Sequence, residues 1–299
     1  MEEYLLYLTI EKGRSVNTIA AYRRDLRSWD ATLSDRSVTV LSASQDDVLV
    51  HLHGLKDSGK APASVARSMV AVRSLYRYLA LEGHRGDDPT AQVEMPRVPR
   101  GLPKPLSVAD VTSLIEASAG PKPWQRRDRA MLELLYGTGI RIGELVGVSL
   151  SDFDSSDALL RVFGKGAKER VIPVGSYAMQ SMVDWLDVEG RGAMEPKRWA
   201  SRDASEAMFL NRRGGRLSRQ GAWGVVKKHG TAVGVGAKLS PHVLRHSCAT
   251  HMLDGGADIR TVQELLGHAS VTTTQVYTKV SQARLWQVYQ SAHPRAQRG

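Results

Sequence analysis

The chain has 299 residues, 42% hydrophobic and 24% charged, so it can bury substantial cores and wholesale disorder is excluded. Its 41 Lys+Arg against 31 Asp+Glu give a formal net charge of +10, which suits a polyanionic partner. A single cysteine, Cys248, excludes an internal disulfide framework and any CxxC zinc or redox site. No run of about 18 apolar residues occurs, and Met1-Glu-Glu-Tyr-Leu-Leu-Tyr-Leu has neither a basic n-region nor a cleavage site. A cytoplasmic protein with no membrane contact is therefore expected.

Apolar residues recur at helical spacing in Leu5–Ile10, Ile19–Trp29, Val48–Leu52 and Val65–Leu81, which predicts four amphipathic helices. Ser15, Ser44 and Ser64 stand where N-caps belong, and Gly13, Gly54 or Gly59, and Gly83 stand near the helix ends. Residues 1–95 thus read as a small helical bundle. Residues 96–105 hold four prolines, a composition that removes backbone donors and favours extended geometry, so a linker is placed there.

Residues 106–299 read as a second domain, mostly α with a small sheet. Ser107 and Asp110 resemble a capping box opening a helix to about Ala117, and further helices are expected near 127–136 and 141–147. Leu159–Phe163 and Glu169–Val174 flank Gly164-Lys-Gly-Ala167 as the two strands of a β-hairpin. Helices follow near 176–187, 218–233, 241–253 and 258–266, with short ones near 271–277 and 281–290. Residues 188–207, rich in Arg, Gly and acidic groups, read as a solvated loop. The charge is uneven along this plan: residues 1–100 carry 14 Lys+Arg against 13 Asp+Glu, and residues 101–299 carry 27 against 18. The second domain is thus the main expected polyanion contact, although Arg23, Arg24, Arg27, Arg67, Arg73 and Arg77 recur at spacings that gather them on helix faces.

Among chemistries, P-loop nucleotide binding lacks its GxxxxGK[ST] signature. A metal site is disfavoured, because His242 and His246 lie four apart but Val243 stands where a HEXXH motif needs Glu. A different set remains. His242 and Arg245 lie three apart at a helix start, Arg141 opens another helix in Thr138-Gly-Ile-Arg-Ile-Gly-Glu-Leu145, Leu265-Leu-Gly-His268 closes a third, and Tyr277 follows nine residues later.

The ordered combination Gly-Thr-Gly-x-Arg-x-x-Glu-Leu, hairpin Gly-Lys-Gly, His-x-x-Arg-His, Leu-Gly-His and Tyr resembles the tyrosine recombinase (phage integrase) family. Within it the chain is similar to the Xer chromosome-dimer recombinases, and Gly214-Gly-Arg-Leu-Ser218 and Gln263-Glu-Leu-Leu-Gly267 lean towards the XerD-like branch over the XerC-like one. Lys279 and Cys248 depart from that pattern, which more commonly has His and an aromatic there.

The resemblance implies a SAM-like core-binding bundle and a C-terminal catalytic domain closing as a C-shaped clamp on DNA. It implies Arg141 and Arg245 as the catalytic arginines, His242 and His268 as the catalytic histidines, Lys165 as the hairpin lysine and Tyr277 as the nucleophile, with Glu144 supporting. Arg23, Arg24, Arg73, Arg212, Arg213, Arg216 and Arg219 are DNA-binding candidates. The chemistry is consistent with these residue types: two guanidiniums offer permanently charged forks to a phosphate, and an imidazole can accept the proton of a phenol whose ordinary pKa is about 10.

No metal, ATP or other cofactor is implied, because a 3′-phosphotyrosyl intermediate retains the phosphodiester. The implied partners are duplex DNA with a specific recombination site, a related recombinase in a heterotetramer reached by a C-terminal protomer-exchange helix, and a DNA translocase as activator. The implied job is conversion of chromosome dimers to monomers through a Holliday junction. The alternatives are an integrase or invertase of a mobile element, and a DNA-binding architectural protein with an idle site.

Overall fold

A computed structural model describes residues 1–96, 104–164, 169–240, 242–267 and 279–296, the side chains of 279–284 excepted. The chain divides into two compact units, Met1–Gly101 and Leu102–Gly299. The first holds α1 (Glu2–Ile10), α2 (Val16–Asp35), α3 (Gln45–Asp57) and α4 (Pro62–Leu81). Ser15 caps α2 by accepting from the Thr18 N–H, and Ser44 exchanges hydrogen bonds with Asp47 at the start of α3. Ser64 has no such place. The cap of α4 is Ala61, because Pro62 supplies a helical φ at the first position and needs no donor there.

The apolar faces close on Trp29, Leu26, Leu33, Val48, Met69, Val72 and Tyr76, all fully or almost fully buried. His51 meets Trp29 edge-on at 5.2 Å, and burial pushes its imidazole down to about 4, so it serves this core as a neutral ring. Asp25 on α2 holds Arg67 on α4 through a forked pair.

The second unit runs α5 (Val108–Glu116), α6 (Pro123–Gly137), α7 (Ile142–Gly147), β1 (Phe153–Asp154), β2 (Leu159–Phe163), β3 (Glu169–Pro173), α8 (Ser176–Leu186), α9 (Arg202–Glu206), α10 (Arg219–Ala232), α11 (Val243–Asp254), α12 (Ile259–Leu266) and α13 (Lys279–Ala292). Ser107 caps α5 by accepting from the Asp110 N–H. Helix α6 is buried on every side from Ala130 to Gly137, which makes it the axis on which α7, α8 and α11 pack. The sheet is antiparallel in the order β1-β2-β3, with Leu160 opposite Ile172 and Val162 opposite Arg170. The expected hairpin is β2 and β3; β1 has only two residues and leaves no alternation to read.

Residues 188–207 differ from the expected solvated loop. They contain a 3₁₀ turn at Gly192–Met194 and helix α9, and buried Arg191 donates to the carbonyls of Ser205 and Ala207. A guanidinium with several donors can organise a segment that has few apolar residues of its own.

Helix α13 packs on α11, α12 and β3 of the same chain, burying Leu285, Tyr289 and Ala292. Electrostatics adds to this apolar burial. Glu133 on α6 has no solvent exposure, and Arg295 forms a forked ion pair with it while lying 4.1 Å from the centre of the Tyr177 ring. The Ser176 N–H donates to the Ala296 carbonyl and completes the latch. Arg295→Met strands the Glu133 carboxylate in the core, so a loss of about 3–5 kcal/mol is expected in chemical denaturation. Glu133→Gln combined with Arg295→Met is expected to recover part of that loss, and equal stability of Arg295→Met and the parent chain would contradict this account.

Candidate active site

Helix α12 ends at Gly267, whose φ of +66° turns the backbone left-handed and leaves the preceding carbonyls without intrahelical donors. Three arginines from three other elements supply them. Arg170 Nε on β3 donates to the Leu265 carbonyl at 3.3 Å, Arg245 Nη2 on α11 to Leu266 at 2.5 Å, and Arg141 Nη2 to Gly267 at 3.4 Å. Arg245 also reaches the Gly139 carbonyl at 2.8 Å. Both glycines are required by conformation and space. Gly139 has φ +62°, and a Cβ there would lie 2.4 Å from Leu266 Cδ2; a Cβ on Gly267 would press within 3.0 Å of the Arg170 guanidinium.

Arg141 is the N-cap of α7 and Glu144 its third residue, a spacing that returns the carboxylate to the cap. Glu144 accepts from the Arg141 backbone N–H at 2.9 Å, from Arg141 Nη1 at 2.8 Å, and from both Nη atoms of Arg170 at 2.9 and 2.8 Å. Burial alone would raise its pKa. The Arg170 hydrogen bonds, the Arg141 backbone bond and the attached positive charges overcome that penalty and hold the carboxyl at about 2. Glu144 is therefore a fixed anion among cations and has no proton to exchange near neutrality.

Burial acts on Arg245 in the opposite sense. Desolvation, followed by the charges of Arg141 and Arg170, brings its guanidinium down to about 10, still cationic near neutral pH. Arg245 is thus a charge held in low dielectric and only partly neutralised, a condition that favours an incoming anion. A cleft of about 240 Å³ opens at the start of α7, lined by Arg141, Gly143, Phe163, Gly164, Arg219 and His242. His242 is exposed at the N-cap of α11. The arrangement can hold a phosphate between guanidiniums with an imidazole at its edge.

The structure thus brings Arg141, Glu144, His242 and Arg245 to one place, with Arg219 on the same rim. Lys165, His268 and Tyr277 lie outside the described residues. Arg212 and Arg213 are exposed in the turn before α10, Arg24 is exposed on α2, and Arg23 forms an ion pair with Glu2. Two further DNA-binding candidates hold loops. Arg73 donates to the carbonyls of Thr90 and Val93, and Arg216 donates to Val146 and Val148 and pairs with Asp203. These bonds hold loops of the fold, through Nη2 of Arg73 and through all three guanidinium nitrogens of Arg216.

Arg170 escaped the sequence reading. Its signal was a charged residue at the inward position of an alternating strand, beside buried Ile172. Cys248 is buried with its thiol pushed up to about 12, a core residue without nucleophilic character. Among the described residues no group of three His, Cys, Asp or Glu side chains is arranged to hold a metal, and no helix is long and apolar enough to cross a membrane.

Comparison with known proteins matches this architecture. The family model "Phage integrase family" matches residues 104–284, and "Phage integrase, N-terminal SAM-like domain" matches residues 1–83. Tyrosine recombinase XerD of Mycobacterium tuberculosis (strain CDC 1551 / Oshkosh) is 46% identical, covering 99% of this chain and 97% of its own length. Two solved structures share the fold. A lambda integrase tetramer bound to a Holliday junction matches with TM-score 0.67 at 21% identity, covering 91% of this chain and 74% of its own. XerH site-specific recombinase in a post-cleavage complex with palindromic difH substrate matches with TM-score 0.65 at 20% identity, covering 93% and 81%. With family models spanning both units and a relative 46% identical over nearly its whole length, the chain belongs to the phage integrase family and is a site-specific tyrosine recombinase.

Proposed function

We propose that this recombinase cuts and rejoins duplex DNA with Tyr277 as nucleophile, acts at a specific site with a related recombinase in a tetramer, and converts chromosome dimers to monomers in the cytoplasm at cell division. The observation that carries the catalytic part is that Arg141, which lines the cleft together with His242, and Arg245 are anchored on the same end of α12. The chromosomal role is supported by the nearly full-length similarity to XerD proteins.

In this reading the scissile phosphate enters the cleft and its nonbridging oxygens take donors from Arg141 and Arg245. The Tyr277 phenol loses its proton to His242 as its oxygen attacks phosphorus. The bond to the 5′ oxygen breaks, Lys165 protonates that oxygen, and His268 donates to the phosphate. The product is a 3′-phosphotyrosyl linkage and a free 5′ hydroxyl. Because the phosphodiester is conserved, a 5′ hydroxyl from a second duplex reverses the step on a new partner, and a second round resolves the Holliday junction. Arg24, Arg212, Arg213 and Arg219 provide backbone contacts, with Arg23 adding one when it leaves Glu2. A DNA translocase is the proposed activator.

Incubation with a nicked duplex carrying the host's dimer-resolution site, the partner recombinase present, is expected to give a covalent band on denaturing electrophoresis that disappears in Tyr277→Phe. A band that persists in this variant would remove Tyr277 from its role. Arg245→Lys, which keeps charge but loses the fork, is expected to slow band formation by about 100- to 1000-fold; an unchanged rate would contradict its assignment.

Glu144 gives a pH test. Its folded pKa of about 2 lies below the ordinary 4.5, so its stabilisation is complete above pH 4.5 and is lost as pH falls towards 2. The linkage is worth about 3 kcal/mol. Urea unfolding from pH 7 to pH 2.5 is expected to show the gap between the parent chain and Glu144→Gln narrowing across that window; a constant gap would contradict the shift.

A further inference from the structure

The roles proposed above use Arg141 and Arg245. They leave the third arginine at the end of α12 unexplained. Arg170 is as buried as Glu144, does not line the cleft, and spends its donors on two acceptors: the Glu144 carboxylate through both Nη atoms, and the Leu265 carbonyl through Nε. It therefore joins three segments far apart in sequence, namely the start of α7 that carries Arg141, strand β3, and the turn at Gly267. We propose that Arg170 is a positioning residue for strand cleavage, setting Arg141 through Glu144 and fixing the end of α12 from which residue 268 continues. The proposal rests on the function proposed above.

Competition for Glu144 supplies the physical reason. The carboxylate has two oxygens, and both are engaged by Arg170 while one is shared with Arg141 Nη1. With Arg170 in place, Arg141 forms a one-pronged contact with Glu144 and its side chain stays 41% exposed beside the cleft. Without Arg170, the buried carboxylate retains Arg141 as its principal cation and draws that guanidinium into a forked pair, away from a phosphate. The Leu265 carbonyl loses its donor at the same moment, and the closely fitted Gly267 turn loses the guanidinium it packs against. Lysine cannot replace this arrangement, since a single ammonium does not provide a planar fork to a carboxylate and a third donor along another direction.

The test is single-turnover covalent-complex formation on a nicked duplex carrying the host's dimer-resolution site, with the partner recombinase present and at saturating protein. Arg170→Lys, Arg170→Met, Glu144→Gln and the double variant Arg170→Met with Glu144→Gln are compared, with DNA affinity and thermal melts measured alongside. Both Arg170 variants are expected to lower the cleavage rate constant by about 10- to 100-fold while DNA affinity stays within about threefold. The double variant is expected to be no slower than the slower single one, because both changes act on one linkage. Should Arg170→Met fail to fold, Arg170→Lys carries the comparison. A rate constant equal to wild type, with only the melting temperature or affinity reduced, overturns the proposal and leaves Arg170 a structural residue; losses that multiply in the double variant also overturn it. A wild-type chain that binds its site and forms no covalent complex overturns the underlying reading instead.

Discussion

A helix end buried among cations is the constraint around which the catalytic unit is arranged. The last carbonyls of a helix lack intrahelical donors, and away from water each must be satisfied from outside. At the end of α12 the carbonyls of Leu265, Leu266 and Gly267 each accept from a different arginine, drawn from β3, α11 and the start of α7. Guanidinium suits the task because its donors lie in one plane and point apart, so one group reaches a carbonyl and a second acceptor together. Three like charges in a small volume repel. The negative end of the helix dipole and the single carboxylate of Glu144 offset that repulsion only in part, which is why the site retains the positive character a phosphate requires. Rigid backbone thus fixes the spacing of the cationic groups.

The same constraint explains what could be read from the sequence. Arg141 and Arg245 stand in short strings that take their meaning from their ordered combination and the family resemblance it carries, whereas helix starts with Ser15, Ser44 and Ser107 follow from local capping and survive reading one residue at a time. Arg170 does not. Its meaning depends on Glu144, 26 positions earlier, and on Leu265, 95 positions later; its inward place in the strand beside Ile172 marks it as buried and says nothing of these partners. Arg73 and Arg216 are the converse case: basic side chains at helical spacing or beside glycines resemble phosphate contacts, and the carbonyls they hold lie on loops that only the fold brings near. Residues 188–207 carry little apolar periodicity because Arg191 organises them through hydrogen bonds, a device that composition alone reads as solvation. Local strings reveal capping and motif chemistry, whereas the partners of buried polar groups are set by contacts across the whole unit.

The C-terminal segment ties the core of the unit to the site. Glu133 lies at the centre of the most enclosed helix of the unit, and its countercharge arrives from Arg295, near the end of the sequence. Helix α13 covers α11, the helix that carries Arg245, so the tail bears on the site through direct packing. A tail that leaves this place uncovers the ground beneath Tyr289 and deprives Glu133 of its only Arg295 fork.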